Sequence, residues 1–138
     1  MTGLSFRLDH SSVMVTPDSW QVLLITPPVE CGVPVYKIFS GWDWPEEWRL
    51  SSGTHDLSTL KSFDSYFLWQ QSSGTVYQLG KNRLPNFTEY AQSVLTSKVV
   101  VPAKRSGFEI QFLSVADLDN VLKKPAKQQA CILGPQQG

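Results

Sequence analysis

Residues 66–79 read Tyr66-Phe67-Leu68-Trp69-Gln70-Gln71-Ser72-Ser73-Gly74-Thr75-Val76-Tyr77-Gln78-Leu79. Two short runs rich in aromatic and β-branched residues flank a Ser-Ser-Gly turn, which is the pattern of a β-hairpin. Toward the N-terminus, turn residues recur at short intervals: Ser51-Ser52-Gly53, Pro45, Gly41, Pro34, Gly32, Pro27-Pro28 and Thr16-Pro17-Asp18. Between them residues 20–26 and 35–40 read as further strands. In Val35-Tyr36-Lys37-Ile38-Phe39 the alternation is incomplete, so the pattern does not say which face is buried. Ser51-Ser52-Gly53-Thr54 returns as Ser72-Ser73-Gly74-Thr75. Two similar turns explain this better than a duplicated unit, because Ser and Gly suit turns.

Toward the C-terminus the period changes. Asn86 followed by Glu89 fits a helix-capping box, and Phe87, Tyr90, Ala91, Val94 and Leu95 then fall on one helix face. That helix is expected to end near Lys98, with residues 98–102 and 108–113 as two strands after it. Ser114 with Asp117 makes a second N-terminal signature; Val115, Leu118, Val121 and Leu122 supply its stripe, and Pro125 stops it. The sequence thus predicts an α+β domain over residues 1–125. A mostly antiparallel sheet would carry two helices of the C-terminal half packed on one face. Residues 126–138, rich in Gln, Gly and Pro, read as a flexible tail in which Cys131-Ile132-Leu133 could dock.

The chain has 138 residues, 41% of them hydrophobic and 12% aromatic, enough for one core without disulfide staples. Charged residues make up 17%, below the usual ~25%, which argues against a disordered chain or a coiled coil. Twelve basic and twelve acidic side chains cancel, unlike the basic balance of a general nucleic-acid binder. The cancellation hides an asymmetry. Residues 1–69 carry four basic against eight acidic groups, a balance of −4, and residues 70–138 the reverse. No signal-peptide pattern opens the chain, and the longest apolar run, Val22-Leu23-Leu24-Ile25, is far too short to cross a bilayer. With Cys31 and Cys131 read as free thiols, the expectation is a cytoplasmic protein that does not enter membranes.

Most catalytic chemistries find no pattern. His10, Cys31, His55 and Cys131 contain no closely spaced pair of the kind zinc sites use, so neither a metal nor another cofactor is expected. Cys31 with His55 and Asp56, and Cys131 with His10, are the sets of residue types suited to a thiol nucleophile. However, Pro27-Pro28-Val29-Glu30-Cys31-Gly32 offers no helix N-terminus to lower the thiol pKa. No Gly-x-Ser-x-Gly elbow or phosphate-cradling loop is present, and the expectation is a protein without catalytic activity.

The densest feature is Trp42-Asp43-Trp44-Pro45-Glu46-Glu47-Trp48-Arg49, with three of the five tryptophans in seven residues. Tryptophan combines large buried area with a polar N–H and few rotors, so it anchors interfaces. Trp42, Asp43, Trp44, Glu46, Glu47 and Trp48 are therefore the candidate partner-binding residues, with at least one ring assigned to the core. The acids favour a partner protein with a basic surface. Lys81, Arg83, Lys104 and Arg105 form an alternative basic patch for nucleic acid, a less favoured partner because the acids flank the rings. A structural subunit that oligomerises through the tryptophans is the other alternative.

Trp48-Arg49-Leu50-Ser51-Ser52-Gly53, Tyr66-Phe67-Leu68-Trp69 and Ser73-Gly74-Thr75-Val76-Tyr77 together resemble small uncharacterised accessory proteins of phages and prophages. The resemblance covers residues 48–79 and brings no catalytic motif. It implies a mobile-element setting, in which small proteins act by binding. The expectation is a non-catalytic module, an inhibitor or immunity-type protein that occludes its partner.

Overall fold

The computed structural model describes residues 13–30, 32–83 and 85–123. Its α+β architecture, with the helices in the C-terminal half, agrees with the sequence reading. The strands form two sheets. One holds β2 (Ser19–Thr26), β3 (Val35–Asp43), β4 (Glu46–Leu50) and β8 (Glu109–Leu113), all antiparallel in the order β4-β3-β2-β8. The other holds β1 (Met14–Val15), β5 (Leu60–Ser62), β6 (Tyr66–Gln70) and β7 (Val76–Gly80), in the order β1-β7-β6-β5. There β1 runs parallel to β7 and the remaining pairs are antiparallel.

The 66–79 hairpin forms as expected, in a register from Tyr66 opposite Gly80 to Gln70 opposite Val76. Gly74 takes φ +95°, a conformation that strains L side chains, and the Gln71 N–H closes the turn on Thr75 O at 2.9 Å. Alternation along β6 and β7 sends Phe67, Trp69, Tyr77 and Leu79 inward. They meet Trp20, Val22, Ile38 and Leu113 of the other sheet in one buried cluster. The two sheets thus stack, with a continuous core between them.

The unresolved face of 35–39 has a simple answer: both faces are buried. Ile38 points between the sheets, while Phe39, with Leu23 and Ile25 of β2, points the other way into a second cluster. A strand covered on both faces loses its period-2 signature, because apolar residues occupy both faces, with Lys37 the exception in this stretch.

The cover is a helical segment running from Glu89 to Arg105. It begins as α1 (Glu89–Val94), widens into a π-helical turn (Leu95–Val100) and tightens into α2 (Val101–Arg105). The expected strand at 98–102 is therefore helical. Three successive valines favour strand locally, but Val99 and Val100 join Ala91, Val94 and Leu95 against the sheet, and that burial outweighs propensity. Pro102 has no N–H to give a regular turn, and the wider register precedes it: the Val101 N–H reaches back to Thr96 O. The cap also moves. Thr88 Oγ1, not Asn86, accepts the Ala91 N–H at 3.1 Å. At the far end Phe108 N–H bonds Ala103 O and Gly107 N–H bonds Lys104 O, a Schellman ending with Gly107 at φ +87°.

The last helix, α3 (Val115–Lys123), starts where the sequence places it. Ser114 Oγ accepts the Asp117 N–H (3.1 Å), and Asp117 Oδ2 accepts the Ser114 N–H (2.9 Å). Its Leu118 is fully buried in the inter-sheet core, so the two helical regions serve different clusters. Ser114→Ala is expected to lower stability by about 1 kcal/mol in urea unfolding, the ordinary cost of losing an N-cap.

The two Ser-Ser-Gly turns touch each other. Ser72 N–H bonds Gly53 O and Ser73 N–H bonds Ser52 Oγ, both at 3.0 Å. The buried Ser51 hydroxyl donates to Gln71 Oε1 (2.6 Å) and accepts the Ile38 N–H (2.8 Å). The echoed motif thus ties the sheets together at one end of the sandwich. Cys31 and residues 124–138, with the expected tail, lie outside the described residues.

Candidate functional site

The tryptophan-rich stretch is a β-hairpin. β3 runs on to Asp43, turns at Trp44-Pro45 (a cis peptide) and returns as β4, with Trp42 opposite Glu47 and Asp43 opposite Glu46. Alternation then divides the six candidate residues. Trp42 and Glu47 face the inter-sheet side, while Asp43, Glu46 and Trp48 face the helix side. Trp42 is half-buried against the inter-sheet core, and its indole N–H donates to Thr16 O at 3.0 Å. Trp48 stacks on Phe39 (5.9 Å between centroids, 14° between planes), and Phe39 meets Phe87 edge-on at 5.2 Å. Gly41 makes room for this stack, since a Cβ there would lie 2.8 Å from the Phe87 ring. Two rings therefore brace the hairpin, one on each face. The third, Trp44, stands 91% exposed at the tip.

Around Trp44 the charge is negative. Asp43 and Glu46 face each other across the last rung of the ladder, and like charges so placed repel. A third carboxylate, which the sequence pattern does not reveal, arrives from the β1–β2 connection: Asp18 Oδ2 accepts the Asp43 N–H at 3.0 Å. Arg83 Nη1 lies 3.9 Å from Asp18 Oδ1, an exposed and distant pair of small energetic worth. Its chain separation from Asp43 explains why Asp18 goes unnoticed in the sequence.

On the other face Glu47 and Arg49 rim a cleft of about 550 Å³ between the edges of the two sheets, floored by residues 13–16 and flanked by Trp42 and Trp48. The Arg49 guanidinium carbon lies 5.9 Å from the centroid of the Tyr77 ring. Burial pushes the Tyr77 phenol above its ordinary pKa, with Arg49 partly opposing the shift.

The basic loops do not converge. Lys81 is held at one end of the sandwich by Ser62 Oγ (2.8 Å), Asp119 (3.7 Å) and the Phe67 ring (4.6 Å). Arg83 sits beside Asp18 at that same end, near Trp20, whose indole N–H donates to Gly80 O. Lys104 and Arg105 close α2 at the opposite end, where Gly107 packs on Pro28 beyond β2. The eight residues of β2 separate the two loops by about 23 Å.

His55 Nδ1 lies 2.7 Å from Pro34 O, so the proton sits on Nδ1, because a carbonyl only accepts. Asp56 caps the 3₁₀ turn Leu57–Thr59, and its bonds from the Ser58 N–H and hydroxyl hold its carboxyl below the usual range. Cys31, which would complete the thiol set, and His10 and Cys131 lie outside the described residues. Among those described, no three His, Cys, Asp or Glu side chains gather as a metal site requires, and no helix is long and apolar enough to cross a membrane. Comparison of the chain with models of protein families, with curated proteins and with solved structures yields no match.

Proposed function

We propose that this protein is a non-catalytic binding module that docks the tip of its β3–β4 hairpin on a basic surface of another protein. One observation carries the reading: Trp44 is 91% exposed on a hairpin braced on both faces, with Asp43, Glu46 and Asp18 around it. A large ring held out in water has no role in the folded core, and a braced hairpin loses little entropy when the ring is buried in a partner's pocket. The carboxylates repel one another until cations meet them, which steers association toward a basic partner. An anchored ring with an acidic rim suits occlusion of a cationic cleft. Together with the resemblance of residues 48–79 to phage accessory proteins, this favours an inhibitor or immunity-type role in the cytoplasm of a host cell. Nucleic acid is the weaker reading, because the two basic loops stand at opposite ends of β2.

The test is comparative capture from a lysate of the source cells. Wild-type protein is expected to retain a partner that Trp44→Ala loses, and that Asp43→Asn with Glu46→Gln retains less well. Equal retention by all three folded proteins would sink the proposal, as would retention of nucleic acid alone.

A further inference from the structure

We infer that β4 pairs with β4 of a second copy of this chain, joining two protomers edge to edge in a two-fold dimer. β4 is the terminal strand of its sheet, and among the described residues nothing pairs with its outer edge. The phase of its ladder is fixed by the bond from the Ser51 N–H to Ile38 O (2.9 Å). Residues alternate in an antiparallel ladder, so Glu47 and Arg49 spend their backbone groups on β3. The N–H and C=O of Glu46, Trp48 and Leu50 therefore point outward, an open template for another strand.

The sequence of that edge says which strand fits. Set β4 antiparallel to itself about Trp48. Trp48 then pairs with Trp48 of the second copy, and Glu46 pairs with Leu50, in rungs that each exchange two N–H···O bonds. Glu47 falls opposite Arg49 of the second copy, and the symmetry repeats that ion pair. Both charges stand in a non-hydrogen-bonded rung, where side chains approach most closely. A parallel, in-register pairing would instead set Glu46 on Glu46 and Glu47 on Glu47. The antiparallel edge is thus self-complementary, as an isologous interface requires. The pairing also brings the clefts of the two copies together, where Val13 and Met14 are each 54% exposed. The inference does not rest on the exposure of Trp44, which lies beyond the five paired residues, although Glu46 belongs both to the paired strand and to the rim of the tip.

Sedimentation equilibrium of the full chain across the micromolar range tests it. The wild type is expected at twice its 15.5 kDa. Glu47→Arg opposes Arg49 with a second cation and is expected to be monomeric; Arg49→Glu opposes Glu47 with a second anion and is expected to be monomeric too. Mixing the two variants brings opposite charges together again and restores a dimer, now of unlike chains. The double swap in one chain restores it as well; should Arg49→Glu lose its fold through the Tyr77 contact, Glu47→Arg decides, because it leaves Arg49 in place. A wild type that stays monomeric, a dimer indifferent to both swaps, or single variants that mixing does not rescue each overturns the inference.

Discussion

Trp69→Ala is expected to cost about 3–5 kcal/mol, the range for removing a fully buried large aromatic side chain. Trp69 is wholly buried at the centre of the inter-sheet cluster. It pairs with Tyr77 and Leu60 within its own sheet and lies 5.4 Å from Tyr36 of the facing one. It therefore contributes to the cohesion of both layers, and neighbours fixed in two sheets have little freedom to collapse into the space it leaves. Domains of this size hold roughly 5–15 kcal/mol in total, so the loss takes a large share of the stability. Trp69→Phe should behave differently. The Trp69 indole N–H is buried without a partner among the described residues, and phenylalanine removes that unpaired donor while keeping most of the ring. Urea unfolding is expected to show a midpoint lowered by about 1–3 M for alanine and by far less for phenylalanine. Similar losses for both would mean that the N–H is satisfied or that the cluster packs differently.

The second large effect concerns binding. Trp44→Ala is expected to weaken the partner complex by about 2–4 kcal/mol, roughly 30- to 1,000-fold, as for an anchoring tryptophan. Its stability should stay within about 0.5 kcal/mol of wild type, because the ring touches no part of the core. Trp42→Ala and Trp48→Ala would show the opposite balance. Each ring braces one face of the hairpin, through the bond to Thr16 O or the stack on Phe39, so each loss should appear first in unfolding. The carboxylates act at longer range. Asp43→Asn with Glu46→Gln should slow association and flatten its salt dependence more than it speeds dissociation.

Much of this fold is legible in the sequence where the signal is local. The 66–79 hairpin, the strands at 20–26, 35–40 and 108–113, and the Ser114/Asp117 cap all rest on residues within a few positions of each other. The features that escape depend on distant contacts. Val99-Val100-Val101 spells strand until a sheet lies beneath it, and Asn86 looks like a cap until Thr88 is seen to take the bond. The stacking of two sheets is hidden because β2 and β3 are apolar on both faces. The composition of the candidate site was visible, its division was not. Where β3 turns decides which ring is core and which is free, and Pro45 was the clue to that turn. Asp18 joins the tip only through the fold.

We propose that the exposed Trp44, rather than the basic loops, makes the contact with the partner. The direct measurement is isothermal titration of the purified partner into wild-type protein, Trp44→Ala and Lys104→Ala with Arg105→Ala, at two salt concentrations. Affinity is expected to be at least 30-fold weaker for Trp44→Ala and unchanged for the basic variant. Unchanged affinity in a folded Trp44→Ala protein, or loss confined to the basic variant, would contradict it.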